Sequence, residues 1–296
     1  MKKLTVSELF EQGLCLLPKQ RRVEFAGVKL NILEWGDSDK PGLLLIHGGA
    51  AHASWWQFIA PQFLPDFHCV AVDLSGHGDS ARRPAYTSDL WCEEIQALIK
   101  ERSIFQCKPT IIGHSMGGLI AIRVAAKVQD LPGLIIIDSA VRPPDNSTDK
   151  RRRGHELLGN RRVYESRQQA QKRFRLIPPQ PCKNKVLLEY IAAESIKQCD
   201  DGWTWKYDPE AFRNLQASSI FNELKKIAAP TLIIRGRDSR ILDKETADNM
   251  QSEIRSAEEV MEIPDAFHHV MLDQPAALID EIRSVLERWG RCKIQD

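Results

Sequence analysis

Lys108-Pro109-Thr110-Ile111-Ile112-Gly113-His114-Ser115-Met116-Gly117-Gly118 decides the fold, because a short apolar strand runs here into a Gly-x-Ser-x-Gly turn and then into a helical run. A passage this tight from strand to helix demands residues almost without side chains around the serine. Gly113 and Gly117 stand two positions either side of it, and Gly118 extends the clearance. The turn lifts the Ser115 hydroxyl out of the sheet, and the helix that follows offers its unpaired first NH groups to an anion. Ser115 is therefore a candidate nucleophile, and the Met116 NH a candidate oxyanion donor.

Outward from this turn, strand and helix alternate. Leu43-Leu44-Leu45-Ile46 is a continuous apolar run, as expected of a strand buried on both faces of a parallel sheet, and it ends in His47-Gly48-Gly49-Ala50. Residues 23–26 and 29–35, around Gly27, alternate like an antiparallel hairpin. Residues 4–17 read as an amphipathic helix packed on the body rather than a membrane anchor. Cys69-Val70-Ala71-Val72-Asp73 is a further strand, followed by a glycine-rich loop over 74–80 and a helix over about 89–102 with Asp89 as N-cap. Trp55 and Trp56 are placed at the head of a helix, where they either line a site or pack as core. Beyond the Ser115 turn comes Leu134-Ile135-Ile136-Ile137-Asp138. Such alternation predicts a mostly parallel sheet with helices on both faces and chemistry at the carboxyl ends of its strands.

The pattern lapses from about residue 141 to 225. It returns at Pro230-Thr231-Leu232-Ile233-Ile234-Arg235-Gly236, with a helix near 244–250, a strand at Val260-Met261-Glu262-Ile263 and a last helix from about Pro275 to Trp289. Residues 1–140 and 226–296 are expected to form the core, and 141–225 an inserted cap. Residues 142–225 hold 17 Lys and Arg against 11 Asp and Glu, a difference of +6; the whole chain is +1, so the remainder is −5. Arg151-Arg152-Arg153 and Arg161-Arg162 either attract an anionic substrate or coat a solvated helix face. Trp203 and Trp205, in an unusually aromatic connector, either roof an apolar pocket or anchor the cap.

These turns and their order resemble the α/β hydrolase superfamily, over roughly residues 20–290 and least in the cap. The resemblance implies an esterase-like serine hydrolase with a nucleophile elbow at Ser115. Gly49 occupies the place whose NH joins that of Met116 in an oxyanion hole, and His47 holds the loop rather than acting as a base. Asp273-Gln274-Pro275 matches the family's acid-x-Pro, which puts the general base five residues earlier at His268, with His269 as the alternative; Phe267 replaces the glycine usual before it. The expected acid is Asp138, at the end of the Leu134–Ile137 run, with Asp238 as the alternative. Asp238 falls one residue short of the family's usual position, occupied here by Ser239, and a one-residue shift in an extended strand end reverses the side chain.

A serine hydroxyl needs a base in hydrogen-bond reach and a third group to orient that base. The expected reaction is cleavage of carboxylic esters through an acyl-enzyme, on a small molecule with an apolar acyl part, without metal or cofactor. A carbon-carbon bond hydrolase using the same triad is the alternative, and a non-catalytic ligand receptor is the reading of another class. A net charge of +1 supplies no field for nucleic acid or an anionic membrane. Seven scattered cysteines with no Cys-x-x-Cys fit reduced thiols. Glu8 and Glu11 interrupt any signal-peptide core, and no stretch approaches the ~20 apolar residues of a membrane span, so a cytoplasmic location is expected.

Overall fold

The computed structural model describes residues 5–25, 27–144, 162–213 and 220–292. Ten strands occur among them: β1 (Lys19–Phe25), β2 (Val28–Trp35), β3 (Gly42–Ile46), β4 (His68–Val72), β5 (Thr110–His114), β6 (Leu134–Ile137), β7 (Ile196–Cys199), β8 (Gly202–Trp205), β9 (Thr231–Gly236) and β10 (Met261–Ile263). Eight form one sheet in the order β1-β2-β4-β3-β5-β6-β9-β10, and β7 pairs only with β8. The first two strands make the antiparallel hairpin, β2 joins β4 antiparallel, and every pairing from β4 to β10 is parallel. The sheet is thus that of an α/β hydrolase fold, mostly parallel and flanked by helices.

Strand alternation divides the core in two. Leu44, Ile46, Val70, Val72, Ile111, Ile136 and Ile233 point to one face, where the helices Ser88–Lys100 and Met116–Ala125 cover them. Leu43, Leu45, Ala71, Ile112, Ile135, Ile137, Leu232 and Ile234 point to the other, under the helices Val6–Cys15 and Pro275–Cys292. Each fully buried aliphatic side chain stabilises the fold by roughly 1.5–3 kcal/mol before entropy is charged against it, so the central strands read as unbroken apolar runs.

Local chemistry sets the helix ends. Thr5 accepts from Glu8 N while Glu8 accepts from Thr5 N at 2.7 Å, a capping box that starts the first helix. The helix expected at 89–102 begins at Ser88, and its cap is Thr87, whose hydroxyl accepts from Leu90 N at 3.1 Å. Asp89 faces outward instead, pairing with Arg123 at 2.7 Å and Lys127 at 3.3 Å. Trp55 and Trp56 lie in a single 3₁₀ turn, Ala53–Trp56, not a long helix. No helix among the described residues is long and apolar enough to cross a membrane.

Between β6 and β9 the described residues add nothing to the large sheet. They hold the helices Arg167–Lys172 and Lys185–Glu194, the small hairpin of β7 and β8, and two short helices at Glu210–Arg213 and Phe221–Leu224. Arg151, Arg152, Arg153 and Arg161 lie outside the described residues. Polar bonds fasten this segment to the loop after β4: Gly78 N donates to Lys206 O at 2.7 Å, Asp208 N to Gly76 O at 2.7 Å, and the Tyr86 hydroxyl to Asp208 at 2.9 Å. Lys206 reaches Asp79 at 2.8 Å.

The turn after β5 rests on close backbone approach. A methyl group on Gly113 would stand 2.5 Å from the Gly117 carbonyl oxygen, and one on Gly117 would run into the carbonyl oxygens of Ile46 and His47. Backbone cannot yield there as a flexible side chain would. Gly117→Ala is therefore expected to destabilise the fold by about 1–3 kcal/mol, read as a lower urea midpoint; an unchanged midpoint would show that the packing around β3 is looser than described.

Candidate active site

Ser115 leaves β5 with φ 53° and ψ −119°, a conformation that costs an L-residue about 1–3 kcal/mol unless its surroundings impose it. They do so from both sides. The Ser115 amide donates to Ile137 O at 2.9 Å at the end of β6, and the loop after β3 closes so tightly that a methyl on Gly48 would lie 3.3 Å from Ser115 Cβ. A methyl on Gly49 would lie 3.8 Å from Met116 Sδ, so the loop after β3 also meets the residue that follows the serine. Met116 is the first residue of its helix, and its NH has no intrahelical acceptor.

His47 is fixed by its own loop. Its Nε2 accepts from Leu74 N at 3.1 Å, so Nδ1 carries the proton and donates to Gly48 O at 2.7 Å. Burial lowers this imidazole to about 3, which keeps it a neutral wedge between the loops after β3 and β4.

His268 Nε2 lies 2.9 Å from Ser115 Oγ, and its Nδ1 lies 3.3 Å from Asp138 Oδ2. A proton on Nδ1 satisfies both contacts, with the serine hydroxyl donating to Nε2. His114 Nε2 donates to the His268 carbonyl at 3.0 Å. Asp273 Oδ2 accepts from Phe267 N and from Gln180 Nε2, both at 2.8 Å, and Gln180 Oε1 accepts from His269 N at 2.9 Å. Residue 267 needs no glycine here, because its φ is not positive. His269 packs its ring against Trp55, with centroids 5.3 Å apart.

The two candidate acids part company. Asp138 is fully buried at the end of β6 with φ 46°, its amide donating to Ile234 O at 2.8 Å. Asp238 is exposed, and the Ser239 side chain is engaged with the amides of Ile241 and Leu242 at 3.1 and 3.5 Å. Burial opposes charge along the row: it raises the Asp138 carboxyl above the usual carboxylate range, against a smaller lowering by Ser239 and Arg235, and it lowers the His268 imidazole below its ordinary value.

A cavity of about 260 Å³ opens onto Ser115 and His268. Gly49 and Trp55 line it from the sheet side, and Tyr164, Phe174, Trp205 and Tyr207 from the inserted segment. Trp203 does not line it. Its backbone is spent on two 2.8 Å bonds with Tyr164, two residue pairs further along the hairpin from Trp205. Tyr207 belongs to the aromatic stretch 201–209 of the sequence, whereas Tyr164 and Phe174 had no signal of their own there, because only the path of the inserted segment brings them to the cavity.

A second serine–histidine contact lies at the edge of the cavity, with His52 Nε2 2.9 Å from Ser195 Oγ. Here the Ser195 hydroxyl gives its proton to Ile191 O at 2.7 Å, so His52 donates and the pair joins the sheet side to the helix Lys185–Glu194. His114, His268 and His269 place ring nitrogens within 4.8 Å of one another. His268 already has both nitrogens engaged, so these rings serve the row and its support before any metal.

A model of the alpha/beta hydrolase family matches residues 43–281 of the chain. The curated esterase Rv0045c of Mycobacterium tuberculosis is 29% identical over 280 residues, covering 92% of this chain and 90% of that protein. A solved structure of that esterase superposes with a TM-score of 0.77 at 26% identity, covering 94% of this chain and 97% of its own. Epoxide hydrolase 1 of Caenorhabditis elegans is 24% identical over 304 residues, covering 91% of this chain and 70% of that protein.

The contrast between the two serines is testable with a fluorophosphonate. Peptide mapping after reaction should find the label on Ser115 and leave Ser195 unmodified, since only the first hydroxyl has a basic nitrogen as its proton acceptor. Label on Ser195 would reverse the assignment of donor and acceptor at His52.

Proposed function

The chain belongs to the alpha/beta hydrolase family and is a hydrolytic enzyme, and from that premise we propose that it cleaves small carboxylic esters through an acyl-enzyme on Ser115. The observation that carries this reading is the hydrogen-bonded row from Ser115 through His268 to Asp138, at 2.9 and 3.3 Å. In this reading Ser115 Oγ attacks the ester carbonyl while His268 Nε2 takes its proton. The oxyanion is held by the NH groups of Gly49 and Met116, each such donor being worth about 10²–10³ in turnover. His268 then returns the proton to the departing alkoxide. Water, activated by the same nitrogen, releases the acid.

Asp138 has two tasks: it fixes the imidazole with Nδ1–H inward, and it stabilises the imidazolium as it forms. Burial that opposes net charge in the resting row makes the aligned oxyanion donors and carboxylate effective, because little water competes with them. Ser115 also separates this chain from relatives that open epoxides, since the family resemblance gives those an aspartate nucleophile. We take residues 141–225 as the cap. Phe174 and Trp205 from this segment line the same cavity as Ser115, which supports an apolar acyl part as the portion bound there. A receptor that only bound its ligand would have no use for a base aligned on a serine.

Replacement of the row tests the reading. Ser115→Ala and His268→Ala should each abolish nearly all turnover of a short-chain p-nitrophenyl ester, and Asp138→Asn should lower kcat by up to ~10⁴. Asp238→Asn should leave kcat within a few-fold. A collapse in Asp238→Asn with activity kept in Asp138→Asn would reverse the choice of acid, and full turnover by Ser115→Ala would end the serine mechanism.

A further inference from the structure

Arg162, Arg173 and Arg175 all line the cavity that opens onto Ser115, and no Asp or Glu lies among the described residues that line it. All three are exposed, which places their guanidinium groups at the mouth rather than beside the serine. Arg175 Nη1 donates to the carbonyls of Lys172 and Phe174 at 3.0 and 2.6 Å, contacts that hold the group without neutralising it. Hydrogen bonds place the neighbouring backbone too, since the Thr204 hydroxyl of the small hairpin donates to Arg162 O at 2.9 Å. Some other cations of the same segment are paired, Lys206 with Asp79 at 2.8 Å and Arg142 with Asp243 at 2.9 Å, while Arg167, Lys172, Lys183 and Lys185 lie outside the cavity lining. The described residues show no such carboxylate against the three arginines. The same lining holds the apolar side chains of Phe174, Leu176, Ile177 and Trp205.

A cleft of one charge sign with low-dielectric walls concentrates its field, and the guanidinium fork matches the oxygens of a carboxylate or phosphate. The apolar wall suits a hydrocarbon arm but leaves the arginines without use for a neutral one. We propose that the preferred substrate is an ester whose acyl arm is apolar near the scissile carbonyl and ends in an anionic oxygen group, a carboxylate or phosphate, held by Arg162, Arg173 and Arg175. This rests on Ser115 as the nucleophile. Water adds OH to the acyl carbon and H to the alcohol oxygen, giving an acid with anionic groups at both ends and a free alcohol. The arm's charge stays at the mouth, where it remains partly hydrated, while its hydrocarbon loses contact with water.

The test uses p-nitrophenyl esters of equal length, six to ten carbons, whose far end is a carboxylate, a phosphate or a neutral methyl ester. At low salt the full-length protein should favour an anionic ester over the neutral one by at least about tenfold in kcat/KM, equivalent to about 1.4 kcal/mol. That ratio should fall toward one in 0.5 M NaCl and in Arg162→Gln/Arg173→Gln/Arg175→Gln, and the order of carboxylate and phosphate identifies the group. The salt arm decides the matter even if the triple variant misfolds. A ratio of one or below in the native protein, with the neutral ester turned over, overturns the anionic substrate and leaves the esterase reading standing. Failure to cleave any of the three would instead count against the esterase reading. Binding then decides the present proposal: tryptophan fluorescence titrated with the long-chain dicarboxylate and its dimethyl ester should show at least tenfold tighter binding of the dianion, and equal binding overturns it.

Discussion

The 2.9 Å contact between His268 Nε2 and Ser115 Oγ joins residues 153 positions apart, and the geometry around it answers to that distance. Neither side chain could hold its place alone. Ser115 is kept in a costly backbone conformation by glycines that let β5 and its helix close against the loop after β3. His268 sits on a loop beyond β10 whose amides are taken up by Asp273 and Gln180, one from the short helix Val270–Asp273 and one from the inserted segment. The parallel sheet brings these ends together, since β5, β6 and β9 lie side by side and Asp138 leaves the strand between the other two.

Neutral imidazoles surround the row. His47, His52, His77 and His114 are all buried and lowered to about 3, so at neutral pH each serves as a shaped hydrogen-bonding group rather than a charge. His47 spans the loops after β3 and β4, His52 meets Ser195, and His114 props up the His268 backbone. Positive charge collects on the inserted segment instead. The exposed arginines of the inserted segment share the cavity lining with Phe174, Leu176 and Trp205, so charge stands beside apolar wall.

Much of this was legible in residues whose constraints are local. The spacing of Gly113, Ser115 and Gly117 is a steric requirement of one turn, and the runs Leu43–Ile46 and Ile111–Ile112 declare burial on both faces without reference to the rest of the chain. The one-residue offset of Asp238 is likewise a local feature of the sequence; Asp138 Oδ2 lies 3.3 Å from His268 Nδ1, and Asp238 is exposed. Other features depended on partners distant in sequence. Asp89 was a plausible cap until Arg123 and Lys127 supplied an alternative and Thr87 took the role. The hairpin of β7 and β8 has four-residue strands with mixed polarity, too short for a period-2 pattern to stand out. Trp203 and Trp205 share a strand and looked equivalent, yet only Trp205 reaches the cavity, because Tyr164 pairs with the backbone of Trp203. Arg173, Arg175 and Phe174 carried no pattern, and only the fold of the inserted segment assembles them at the mouth.

The covalent intermediate is the most direct test of the central claim. Rapid mixing of the protein with a p-nitrophenyl ester, followed by acid quench, intact mass and peptide mapping, would catch the acyl group in transit. The account predicts a burst of about one equivalent of p-nitrophenol per chain and an acyl adduct confined to the peptide that contains Ser115. Steady turnover with no burst and no adduct, or an adduct on any other residue, would contradict it.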